Sequence, residues 1–367
     1  MLTFQTAKDP AQKASREENL LRALEQRRIM TLIVEVASSC NLKCTFCDAH
    51  SGRAPKFREN AGLMKPDTWA TVLATIQDYC ALRGPLEMMQ FYGNGEPLLN
   101  KKLPAMVAQV VAAGIARKTR VITNGVLLTP EKLTELADAG LDEIHISLDT
   151  IDQGRYLDIK KSDEAGRVVE NVQACIPVIE ARGDVQLFIK YFTRESSNAY
   201  GLVPEDSDSV RQTFLAACEH SNFVHLKEMP LVDVGVGMLN DKQDFSSPCE
   251  IPFYLLYIMH NGKVSACCSD VFNGMTVGRL VETSVPPLAP SLVPAKPAAV
   301  STLTQIVDSA ALHDIRKKHL EGRCNEIKLC AGCGNRTQVD LSQFSDETIG
   351  AIQSWIAPPA EEPAFSA

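Results

Sequence analysis

The sequence predicts an α/β protein built on a partial (β/α)6, TIM-like barrel and followed by a small cysteine-rich unit. Three observations lead there. Strand-like and helix-like segments alternate from Thr31 onward, chemistry-bearing residues fall at the ends of the predicted strands, and a second set of cysteines follows the alternation. Strands are predicted at 31–37, 86–92, 119–123, 143–148, 185–192 and 223–228, each an apolar or β-branched run. Helices are predicted at 66–82, 102–114, 130–139, 163–182 and 207–218. Pro66 and Pro130 suit the first turns of their helices, and Gly114 and Gly140 suit helix ends. Alternation of this kind implies parallel strands joined by crossover helices. Six such units make an open barrel, whose chemistry gathers at the C-terminal ends of the strands.

The organisation along the chain follows from changes of pattern. Residues 1–28 form an N-terminal segment with helical periodicity from Glu17 to Arg27, and 29–230 hold the barrel. Residues 230–248 show no period and bridge to a unit at 245–340. That unit is interrupted at 283–301, where five prolines rule out helix or central strand and an exposed loop is expected. The tail at 357–367 is expected to be disordered. The 367-residue chain carries a formal net charge of −8 without a basic run, which disfavours nucleic-acid binding. Met1 to Glu18 is polar and lacks the apolar core of a secretory signal. No apolar stretch approaches a membrane span, so a cytoplasmic protein without membrane association is expected.

Twelve cysteines in a chain with these properties point to metal ligation rather than disulfides. Cys40, Cys44 and Cys47 form a C-x3-C-x2-C loop directly after the first strand. Thiolates are soft ligands suited to iron–sulfur clusters or zinc. Three of them leave a four-iron cluster with one iron open to a substrate or cofactor. A zinc knot completed elsewhere, with His50 as a candidate, is the alternative. Cys80 and Cys175 lie in helical apolar patterns and read as small core residues.

The loop, with Phe46 just before its third cysteine, resembles the signature of the radical S-adenosylmethionine (SAM) enzymes. Phe91-Tyr92-Gly93-Asn94-Gly95-Glu96-Pro97-Leu98 is similar to that family's Gly-Gly-Glu-Pro segment. Val121 to Gly125 and Ile144 to Asp149 are similar to the ends of its third and fourth strands. The resemblance implies a [4Fe–4S] cluster on Cys40, Cys44 and Cys47, with SAM on the fourth iron. One electron, from a donor such as flavodoxin or ferredoxin, would then release a 5′-deoxyadenosyl radical that takes hydrogen from the substrate. It also implies SAM contacts from Phe46 near the adenine and from Glu96, flanked by Gly95, to the amino group. Asn94 replaces the first glycine, and its tolerance of left-handed backbone is expected to preserve the turn. Ser147 is a candidate for the carboxylate or ribose, against a plain turn-capping role, and Asn124 is a further candidate. Lys190 is a candidate for the SAM carboxylate or the substrate, against a solvated strand edge.

Cys249, then Gly262 and Cys267, then Cys330-x2-Cys333, resemble the C-terminal extension called SPASM, in its shortened form, twitch. The later cysteines of the full pattern are not present, since no residue after Cys333 in this sequence is cysteine. This implies one auxiliary [4Fe–4S] cluster closed by Cys249, Cys267, Cys330 and Cys333, suited to electron transfer. A four-cysteine zinc site is the alternative, and Cys268 or Cys324 are alternative ligands. A radical initiator beside an electron acceptor suits dehydrogenation of a small polar metabolite such as a cyclitol or sugar. The other readings are maturation of a ribosomal peptide by a thioether or carbon–carbon crosslink, and redox-neutral epimerisation using a thiol such as Cys268 or Cys324.

Overall fold

The computed structural model describes residues 21–23, 26–52, 60–192, 202–229, 249–271, 273–282, 300–331, 333 and 350. Most of the expected N-terminal helix, the 230–248 bridge, nearly all of the proline-rich loop and the C-terminal tail lie outside them. Six parallel strands run in consecutive order: β1 (Thr31–Val34), β2 (Met88–Phe91), β3 (Thr119–Thr123), β4 (Glu143–Ser147), β5 (Gln186–Phe192) and β6 (Val224–Met229). The crossovers carry α1 (Pro66–Arg83), α2 (Leu103–Ala112), α3 (Pro130–Asp138), α4 (Gln153–Lys160), α5 (Ala165–Arg182) and α6 (Pro204–Glu219). This is the expected partial barrel. Pro66 and Pro130 do open their helices, with the Thr129 hydroxyl accepting from Lys132 N–H. Gly114 and Gly140 take positive φ of 60° and 87° just beyond theirs.

The sequence reading passed over α4. Its segment QGRYLDIK is mostly polar and buries few apolar side chains, so no apolar period announces it. The Asp152 carboxylate, accepting from Arg155 N–H, starts it instead. The strands of the C-terminal region continue the same sheet. After the short helix α7 (Ile251–Tyr254), β7 (Leu255–Ile258) pairs in parallel with the outer edge of β1, Thr31 opposite Leu255. β8 (Lys263–Ser265) and β9 (Thr276–Arg279) add on in antiparallel order. Among the described residues, α8 (Leu303–Val307), α9 (Ala310–Leu320) and α10 (Lys328–Ala331) follow.

Alternation along the strands separates core from lumen. Ile144 and Ile146 of β4 and Leu187 and Ile189 of β5 are buried in one cluster with Val168, Val172 and Ile179 of α5. Each such side chain contributes about 1.5–3 kcal/mol of burial. The other face of the same strands carries Glu143, His145, Ser147, Phe188 and Lys190 and is turned inward. Among the described residues, no helix is long and apolar enough to cross a membrane.

Candidate active site

The cysteine loop is held over the C-terminal ends of the strands by backbone contacts on two sides. Lys43 N–H and Thr45 N–H donate to the carbonyls of Lys160 and Ile159, at 3.2 and 2.8 Å, so the end of α4 supports it. Glu96 N–H donates to the Ser39 carbonyl at 2.9 Å, tying it to the segment after β2. Gly95 makes that approach possible. A Cβ there would lie 2.4 Å from Ser39 O and 2.5 Å from Ala37 O, both backbone atoms. Cys40, Cys44 and Cys47 are all half-buried. Burial pushes the Cys40 thiol up to about 12 and also raises those of Cys44 and Cys47. Without metal these thiols therefore keep their protons, and binding one displaces them.

Glu96 is buried, and its carboxylate joins the ends of β2 and β3. One oxygen accepts from the Thr123 hydroxyl at 2.6 Å and from Leu98 N–H at 3.0 Å, and the other from Asn124 N–H at 2.8 Å. Burial nonetheless raises its pKa. Asn124 in turn donates its side-chain amide N–H to the Asn41 side-chain oxygen, Oδ1, at 2.8 Å, inside the cysteine loop. Asn94 differs from expectation, because it does not take left-handed backbone. Its N–H donates to Glu35 at 3.0 Å and its amide to the Tyr257 hydroxyl at 3.1 Å, so β7 fixes this turn. The neighbours in space replace the conformational freedom of a glycine.

The lumen is layered by strand register. At its base, Arg120 is paired with Glu143 at 2.6 Å, and His145 Nε2 lies 3.2 Å from the same carboxylate oxygen. In the next layer the rings of His145, Phe188 and His225 adjoin across β4, β5 and β6, the first pair tilted with centroids 4.5 Å apart and the second stacked at 4.7 Å. Ser147, Lys190 and Lys227 share the layer above, in direct register. Phe192 then meets Phe46 of the cysteine loop edge-on at 5.8 Å, with the Lys160 ammonium 4.9 Å from the Phe46 centroid. Lys190 thus sits on a central strand beneath the loop, which overturns the solvated-edge alternative. Burial lowers its pKa to about 8.

The second cysteine set surrounds a cavity. Cys249, Cys267, Cys330 and Cys333 line an empty space of about 420 Å³, its solvent-side opening included, together with His319 and Met275. Cys268 and Cys324 are not in the lining; Cys324 is fully buried in the hydrophobic core. Burial, with Glu250 adding to it, pushes the Cys249 thiol well up. The neighbouring Cys268 thiol and burial do the same to Cys267. His319, fully buried, was not singled out from the sequence. Its Nδ1 accepts from Cys249 N–H at 3.2 Å, so Nε2 carries the proton and points at Cys330 Sγ, 3.6 Å away. No motif announces that role, since it depends on the end of α9 bringing His319 to the cavity wall.

Residues 34–195 match the family model described as "Radical SAM superfamily". They form a radical SAM domain. Over 138 residues the chain is 32% identical to the probable GTP 3′,8-cyclase of Methanococcus vannielii, covering 37% of this chain and 42% of that protein. Over 124 residues it is 32% identical to the PqqA peptide cyclase of Granulibacter bethesdensis, covering 34% and 30%. The chain thus spans less than half the length of these relatives. The fold is shared with the structure of BtrN in complex with AdoMet and 2-DOIA, at TM-score 0.54 and 19% identity over 86% of this chain and 97% of that one. It is shared too with anSMEcpe with bound AdoMet and Cp18Cys peptide, at 0.50 and 12% over 89% and 96%.

A radical SAM domain works with a [4Fe–4S] cluster and SAM, and the donor set here fits them. Three soft thiols come from one loop, and that loop supplies no fourth cysteine, so one position of a cluster would be left open. Neither cysteine set is closed around a single ion. Among the described residues, no three or more His, Cys, Asp or Glu side chains are gathered that way. The second cavity presents four thiols from three separate segments and fits a larger group with all positions filled by protein.

Proposed function

We propose that this protein is a radical SAM oxidoreductase that removes two hydrogens from a small polar substrate and passes one electron to an auxiliary [4Fe–4S] cluster. The observation that carries the reading is the pairing, on one continuous sheet, of an open three-thiol loop with a cavity lined by four thiols. When bound, the first cluster with SAM supplies hydrogen-atom abstraction, and the second supplies a one-electron acceptor. Cys40, Cys44 and Cys47 hold the first; Cys249, Cys267, Cys330 and Cys333 hold the second.

The remaining residues position and insulate. Glu96 locks Thr123 and Asn124 beside the loop and keeps an acceptor position for the amino group of SAM. Phe46 and Phe192 form an apolar wall suited to the adenine. Ser147 and Lys190, register partners on β4 and β5, are assigned to the SAM carboxylate and ribose or to the substrate. Tyr92, beside the Gly93–Pro97 segment, packs with Cys268 against the buried cluster that holds Ile33, Cys249 and Tyr257.

The electron balance makes the reading testable. One hydrogen atom leaves to the SAM-derived fragment, one proton leaves to solvent, and one electron leaves to the auxiliary cluster, so the product is two hydrogens lighter. Candidate substrates are incubated with the reduced, anaerobically reconstituted protein and SAM in deuterated water. A two-hydrogen mass loss without solvent deuterium at the reacting carbon supports dehydrogenation. Unchanged mass apart from one solvent deuterium would overturn it in favour of epimerisation, and a crosslinked peptide would overturn the small-molecule assignment.

A further inference from the structure

The lumen layer above the His145, Phe188 and His225 rings carries more positive charge than its neighbours balance. Lys190 and Lys227 are register partners on β5 and β6, both half-buried, and their side chains leave the same face as Phe188 and His225. Arg120, at the base of the lumen, adds to the lowering of both pKa values. Among the described residues, two carboxylates act on this cluster, and each is already engaged. Glu143 is held by Arg120, and Asp149 is held by Lys160. The lysines themselves form no ion pair among the described residues. The Lys227 ammonium instead stands 5.8 Å from the centre of the Phe188 ring.

Two adjacent ammonium groups drawn out of water disfavour each other and lose hydration. Burial and the neighbouring cations lower both pKa values to about 8, so both stay largely charged at neutral pH. A fold keeps such a pair when an anion completes it. SAM brings one carboxylate, and that group also binds the cluster. We infer that the Ser147–Lys190–Lys227 layer is a substrate subsite for an anionic group, a carboxylate or a phosphate. This rests on reading the barrel mouth as the SAM and substrate site, and it narrows the substrate to a polar molecule bearing that charge. Lys190 lies beside Ser147 on the β4 side, whereas Lys227 lies one strand further out. Lys227 is therefore the lysine assigned to the substrate, and Lys190 bridges it to SAM.

Inorganic phosphate and malonate, each titrated calorimetrically into the full-length, cluster-loaded protein with and without SAM, test the subsite. The expected result is saturable one-site binding of at least one anion with SAM present. It weakens about tenfold or more in Lys227→Gln, the size of one charge-assisted hydrogen bond, and is retained in Lys227→Arg. Tighter phosphate assigns a phosphoryl substrate, and tighter malonate assigns a carboxylate. If circular dichroism shows Lys227→Gln unfolded, Lys190→Gln is read the same way. Three outcomes overturn the subsite: no saturable binding to wild type, unchanged binding in the glutamine variant, or anion binding that SAM abolishes. The last assigns both lysines to the SAM carboxylate. Failure of the protein to bind SAM overturns the radical SAM site itself, while the titrations without SAM still report on the lysines.

Discussion

The two cysteine sites use the same ligand atom in opposite ways. The first takes three thiols from one eight-residue loop, half-exposed and pinned by backbone hydrogen bonds to α4 and to the segment after β2. The second gathers its thiols across roughly eighty residues, buries Cys249 and Cys330, and sets a histidine against one of them. A local loop can present ligands before any metal arrives and leave one side open for chemistry. A site assembled from distant segments depends on long-range closure, so a bound cluster acts there as a crosslink. Openness suits a reacting centre, and closure suits electron transfer.

The largest expected effect separates the two directly. Replacing Cys40, Cys44 and Cys47 together with alanine should abolish SAM cleavage and remove about half the iron, by the ligand count. Cys249→Ala or Cys330→Ala should leave SAM cleavage in place, lose most product, and loosen the C-terminal region. Iron analysis, 5′-deoxyadenosine formation and hydrogen exchange report these outcomes. Equal loss of SAM cleavage in both sets would mean that the sites are not independent. Gly95→Ala should come next. Its Cβ would meet two backbone carbonyls that cannot swing aside, so the loop must shift, at a cost of about 1–3 kcal/mol. A thermal melt of the metal-free protein measures that cost, and weaker cluster loading should accompany it.

The same contrast decides what was legible in the sequence. The first site was readable because the strand, its cysteine loop and the strand-end motifs are contiguous, and strand ends are where barrels place chemistry. α4 was missed because capping, rather than an apolar stripe, specifies it. The continuation of the sheet through β7 was also missed: a short apolar run such as Leu255–Ile258 does not reveal its pairing partner. Asn94 was expected to rely on its own backbone tolerance, whereas Tyr257 and Glu35 on distant segments hold it. His319 and Lys227 carry no motif; only the end of α9 and the register of β6 place them beside the cavity and the lumen. What a sequence hides is the meeting of residues far apart along it.

Smaller effects sharpen the comparison. Glu96→Gln keeps the shape of the brace but removes the charge that accepts from Thr123 and Asn124. A loss of about 1.5–3 kcal/mol in SAM affinity is expected, read by equilibrium binding. Unchanged affinity would make Glu96 purely structural. His319→Phe fills the same space without a donor toward Cys330 or an acceptor for Cys249 N–H. The electron paramagnetic resonance signal and potential of the second cluster should shift while those of the first stay in place. A shift in both, or in neither, would remove His319 from the second site.

The smallest expected effect concerns acid stability and belongs to the base of the lumen. Burial pushes Glu143 up, but the hydrogen bond from His145 and the Arg120 charge outweigh it and hold it at about 2, below its ordinary 4.5. Burial pushes His145 down to about 3 from 6.5 against the pull of Glu143, and Arg120, Lys190 and Lys227 add to the fall. The signs agree. The unfolded chain takes up a proton at His145 as pH drops below 6.5, and one at Glu143 below 4.5, before the folded protein does. Both contributions are therefore complete above pH 6.5 and are lost on acidification, the histidine first. Between pH 6.5 and 5 only the histidine term of this pair changes, with a slope of at most about 1.4 kcal/mol per pH unit. His225 and His313, also lowered by burial, slope the same way, so the informative quantity is a difference. His145→Gln should reduce the slope of unfolding free energy against pH over that window by close to one proton, measured by denaturant titration of the metal-free protein. An unchanged slope would show that His145 titrates alike in the folded and unfolded chain, and the base of the lumen would then be wetter than its packing implies.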